Sequence, residues 1–78
     1  MAQESAFFSV NKLVGLRDAG SLQTRLNAMP GVTGVRISPA ESQVSVTFES
    51  LGVTPAQIQR KMELLGYPVE QSWQGRPF

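Results

Sequence analysis

Six consecutive residues, Val44-Ser45-Val46-Thr47-Phe48-Glu49, alternate apolar and polar without a break. Successive side chains of a β-strand point to opposite faces, so this run dictates a sheet with one dry face and one wet face. The dry face has to be covered, and a helix with a single apolar stripe is a common cover. Two such stripes are present at the same spacing: Leu22, Leu26 and Met29, then Ile58, Met62 and Leu65.

The remaining segments fall into place around these. Residues 6–10 read as a strand, with Phe8 and Val10 on one face and Phe7 and Ser9 on the other. Val35 and Ile37 alternate with Gly34, Arg36 and Ser38, and Pro39-Ala40-Glu41-Ser42 turns that strand back into the one at Val44. The first helix is expected from Asp18, with Asp18 or Ser21 capping its first turn, and to stop at Pro30-Gly31. Gly20 weakens its start by about 1 kcal/mol relative to Ala. Thr54-Pro55-Ala56-Gln57 opens the second helix with three agreeing signals, a Thr cap, Pro at the first helical position and Gln to close a capping box. Gly66 ends it, and residues 67–72 make a last strand that Pro68 restricts to a sheet edge.

The resulting order, β-α-β-β-α-β, is α+β and points to a ferredoxin-like sandwich, a four-stranded antiparallel sheet with both helices on one face. Its core is expected to hold Phe8, Val10, Leu22, Leu26, Met29, Val35, Ile37, Val44, Val46, Phe48, Ile58, Met62, Leu65 and Val69. One domain over residues 1–72 follows, with residues 73–78 as a tail. On the open face Phe7 is the one aromatic expected from the strands, beside Ser45, Thr47 and Glu49, which argues against base stacking by a nucleic acid. Trp73 or Phe78 from the tail, or a second molecule, is expected to cover it.

Composition removes most chemistry. A chain of 78 residues with 41% hydrophobic and 17% charged residues has material for one small core. It contains no cysteine and no histidine, which excludes disulfides, thiolate and imidazole metal sites, thiol catalysis and the usual general base. A net charge of +1 with no run of like charges does not drive nucleic-acid binding. The opening Met1-Ala2-Gln3-Glu4-Ser5 has no signal-peptide pattern and no segment is a membrane span, so a cytoplasmic protein without membrane insertion is expected.

Read backwards from Pro30-Gly31-Val32, the spacing resembles the heavy-metal-associated domain family over roughly residues 8–69. The family's strand lead-in falls on Phe8 and Val10, its loop methionine on Leu13, and its helix apolar positions on Leu22, Leu26 and Met29. Its Pro-Gly-Val turn stands unchanged, and its Val-x-Val strand and late Gly-Tyr fall on Val44, Val46, Gly66 and Tyr67. The family's Met-x-Cys-x-x-Cys loop lands on Leu13-Val14-Gly15-Leu16-Arg17-Asp18, so Gly15 and Asp18 stand where the two thiolates would be.

The resemblance implies a copper chaperone-like scaffold whose loop holds a soft metal and docks a partner domain. One hard carboxylate beside a glycine cannot replace two thiolates, so no cofactor is expected and metal-ion binding at the loop should be weak. The reading that follows is a noncatalytic interaction module, docking another protein domain or a second copy through Lys12, Leu13, Val14, Gly15, Leu16, Arg17, Asp18 and Tyr67. The alternative is a metal-ion carrier for transport or detoxification that uses non-cysteine or partner-supplied ligands. Asp18, Glu4, Glu63 and Glu70 are carboxylates available to it, though no two share a ligand-like spacing with a third. Structural roles compete at each position: Asp18 as a helix cap, Gly15 as a tight-loop residue, Met29 and Met62 as packing.

Overall fold

The computed structural model describes residues 3–10 and 15–75, and within these the side chains of 3–10 and 19–74. The elements are β1 (Gln3–Val10), α1 (Gly15–Asn27), β2 (Val32–Ser38), β3 (Gln43–Glu49), α2 (Pro55–Leu64) and β4 (Val69–Gly75). The strands form one antiparallel sheet in the order β2-β3-β1-β4, which is the ferredoxin-like arrangement expected from the element order.

Register explains the two faces. Ala6 opposes Val46, Phe8 opposes Val44, and across β3 those two valines oppose Val35 and Ile37. These side chains share the face on which Leu22 and Leu26 of α1 and Ile58 and Met62 of α2 close the core. Phe8, Val10, Leu26, Val44, Val46, Ile58 and Met62 are fully buried. Met29, Ile37, Leu65 and Val69, expected inside, are only half-buried at the margin, while Ala6 and Ala19, which continue the β1 alternation and the α1 stripe, and Val53, in the loop before α2, are buried as well.

Local chemistry sets the ends of α2. The Thr54 hydroxyl accepts a hydrogen bond from the Gln57 backbone N–H at 3.2 Å, and the Gln57 side-chain oxygen accepts one from the Thr54 N–H at 2.9 Å, closing the capping box. At the other end Gly66 takes a φ of +94°. The Tyr67 N–H then donates back to Met62 at 2.9 Å and the Gly66 N–H to Glu63 at 3.1 Å, the paired bonds of a Schellman turn.

Several boundaries differ from expectation: β1 begins at Gln3 rather than residue 6, β4 begins at Val69 rather than residue 67, and two further differences bear on the site. Helix α1 begins at Gly15, so Asp18 is its fourth residue and Ser21 lies further inside; neither is the N-cap, and Gly15 is helical rather than part of a tight loop. Strand β4 runs to Gly75, so residues 73–75, expected in the tail, belong to the sheet: Trp73, Gln74 and Gly75 pair with Phe7, Ala6 and Ser5 of β1. Pro68 sits immediately before this edge strand, where its missing N–H removes no ladder bond. Trp73 stacks on Phe7, with ring centroids 5.9 Å apart and planes 18° from parallel, and supplies the cover anticipated for Phe7. Phe78 lies outside the described residues.

Candidate functional site

The expected docking rim divides into three parts. Lys12, Leu13 and Val14 lie outside the described residues. Gly15, Leu16, Arg17 and Asp18 form the first turn of α1, where positions three apart are neighbours on the helix surface. Gly15 and Asp18 have that separation, so the residues aligned with the two family cysteines occupy adjacent backbone positions at a helix start.

Tyr67 is half-buried and packs against the margin of the core directly after the Schellman turn. It lines a cavity of about 310 Å³ together with Ser21, Leu22 and Arg25 of α1 and Leu64 and Leu65 at the end of α2. Ser21 and Arg25 are one helical turn apart, and Asp18 stands one turn before Ser21 in the same register. The structure therefore joins Tyr67 to the α1 stripe that continues from Asp18. Sequence reasoning missed Ser21, Arg25 and Leu64 in this role. Leu64 carried a usable signal: it is apolar yet falls off the Ile58-Met62-Leu65 stripe, and it is 72% exposed.

Among the described side chains the carboxylates do not converge. Glu4 opposes Phe48 in β1, Glu70 lies in β4, and Glu63 in the last turn of α2 accepts a long hydrogen bond from the Gln59 amide at 3.4 Å. Among the described residues no group of three His, Cys, Asp or Glu side chains could hold a metal ion. No buried charged or polar residue is present among them either, which leaves no dry polar cluster for acid–base chemistry.

A four-stranded antiparallel sheet under two helices, with a cavity lined by α1, the end of α2 and Tyr67, defines a ferredoxin-like α+β sandwich. Residues 19–68 match the heavy-metal-associated domain, and the chain belongs to that family. The match starts one residue after Asp18.

Solved structures share the whole fold. The N-terminal domain of a potential copper-translocating P-type ATPase from Bacillus subtilis, in its Cu(I)-loaded state, superposes with a TM-score of 0.85 at 20% identity, covering 97% of this chain and 95% of that one. Oxidized MerP from Ralstonia metallidurans CH34 gives 0.81 at 21% identity, covering 90% of this chain and all of that one. A copper form of a CopA variant from Bacillus subtilis is 31% identical, covers 87% of this chain and 90% of that one, and has a TM-score of 0.73. No curated protein matches the chain in sequence.

Proposed function

We propose that this chain is a noncatalytic, cytoplasmic heavy-metal-associated domain that has given up soft-metal capture and acts as a protein-interaction module. The observation that carries the reading is a complete family scaffold in a chain with no cysteine and no histidine. Relatives described with copper bound share the framework, but Gly15 and Asp18 provide one hard oxygen donor where a soft ion requires sulfur. What remains at that end of the molecule is a surface suited to another protein domain: the first turn of α1, the Ser21–Arg25 side of the helix, Tyr67 and the exposed Leu64. Tyr67 and Arg25 are of the residue types enriched at interface anchors, and the exposed Leu64 adds apolar area beside them.

Titration of the intact chain with copper(I), zinc and nickel against a modest competing chelator tests this reading. The chain should lose each ion to the chelator. Retention with micromolar or tighter affinity would overturn the interaction reading in favour of a carrier with oxygen donors.

A further inference from the structure

The helices leave the opposite face of the sheet open, and its middle carries a size pattern that fits itself. Arg36 opposes Ser45, Ser45 opposes Phe7, and Phe7 opposes Trp73, so these four residues form one line across all four strands. Strands are spaced about 4.8 Å apart, which puts Ser45 and Trp73 equally far from Phe7 on opposite sides. We propose that this face is the interface of a symmetric dimer in which Trp73 of each copy enters the slot between Phe7 and Arg36 of the other.

A twofold axis running along the strand direction above Phe7 carries Trp73 of one copy onto Ser45 of its mate. Large then meets small twice on either side of the axis, while the two Phe7 rings meet each other on it, and both kinds of contact repeat as an isologous interface requires. The slot is a shallow cavity of about 490 Å³ whose lining includes Phe7, Arg36, Ser38, Glu41, Gln43 and Ser45. Trp73 is 45% exposed at the edge of the sheet and already rests on Phe7 within its own chain. An indole entering the slot meets the Arg36 guanidinium, which has no ion-pair partner among the described residues and can stack on an aromatic face. Glu41, held by a 3.1 Å hydrogen bond from the Ser38 hydroxyl, offers a carboxylate to the indole N–H.

The surroundings permit close approach. Ser5 and Ser9 flank Phe7 along β1 on the open face, and Gly34 and Thr47 continue it on β2 and β3, so the facing Phe7 rings set the sheet spacing and the short side chains around them add no obstacle to it. A net charge of +1 leaves little repulsion between copies. The molecule measures 34 × 25 × 18 Å, so one sheet face is small and the dimer belongs among the weak, concentration-dependent ones. A second copy fits this face better than a polyanion does, because Glu41 and Glu49 stand on it beside Arg36, its one arginine among the described residues.

Sedimentation equilibrium of the full chain from about 10 µM to about 1 mM reads the interface directly. Wild type should pass from monomer to dimer over that range, with Trp73 emission shifting to shorter wavelength. Trp73→Ala removes the knob and Ser45→Leu fills the slot, so each variant should remain monomeric; circular dichroism confirms that both are folded. Mixing the two should restore a heterodimer, because the Trp73 kept by one variant meets the open slot kept by the other. A wild-type chain that is monomeric throughout would overturn the proposal. So would a dimer that survives Ser45→Leu, which would place self-association on another surface.

Discussion

Glycines at three positions separate the physical reasons for having no side chain. Gly31 has a φ of +92°, and a Cβ there would sit 3.1 Å from the Gly52 carbonyl carbon and from the Val53 side chain. Gly66 has nearly the same backbone, φ +94°, but open space around it. Gly20 is inside α1, with nothing within 4 Å of where a methyl would sit and no need for a left-handed backbone. Substitution by alanine should therefore give three distinct results in urea melts. Gly66→Ala should cost about 1–2 kcal/mol, the penalty of the left-handed conformation alone. Gly31→Ala should cost more than Gly66→Ala, because contact with residues 52 and 53 adds to the same backbone strain. Gly20→Ala should stabilise the chain by up to about 1 kcal/mol. A destabilised Gly20→Ala variant would show that this glycine serves a contact the fold does not reveal. At the start of α2, Thr54→Ala should lose about 1 kcal/mol, since it breaks one half of the capping box and frees the Gln57 N–H.

Among the elements, those governed by local chemistry were legible and those decided by distant partners were not. The alternation from Val44 to Phe48 and the Thr54-Pro55 start of α2 are written in adjacent residues, and the sheet and helix follow them. Helix α1 extends three residues further toward its N-terminus than Asp18, because a good capping residue is also acceptable in a first turn, where it meets the positive end of the helix dipole. Strand β4 ends three residues beyond Ser72 because Gln71-Ser72-Trp73-Gln74 shows no apolar alternation; its length comes from pairing with β1 and from the Phe7 ring waiting across the sheet. Removing residues 73–78 should therefore lower stability by more than about 1 kcal/mol, the scale of the lost aromatic pair alone. An unchanged denaturation midpoint would mean that the end of β4 adds nothing to the sheet.

For the molecule as a whole, fold and function became legible by different routes. The sandwich could be read from periodicity, and the ten buried side chains among those expected, such as Phe8, Leu22, Val44 and Ile58, mark the same core. The proposed docking surface could be read only in part, because Ser21 and Arg25 look like ordinary exposed helix residues until α1 and the end of α2 are brought together around Tyr67. The replaced ligand pair was visible only by counting from Pro30-Gly31-Val32, since Gly15 and Asp18 carry no pattern of their own. The central claim is that the metal-carrying framework persists and only its sulfur donors are gone. Gly15→Cys together with Asp18→Cys returns two thiolates to adjacent positions on the first turn of α1. In a competition titration with copper(I), that double variant should bind about a thousandfold or more tightly than wild type, with each single variant far weaker than the pair. A folded double variant with no gain in affinity over wild type would contradict the account.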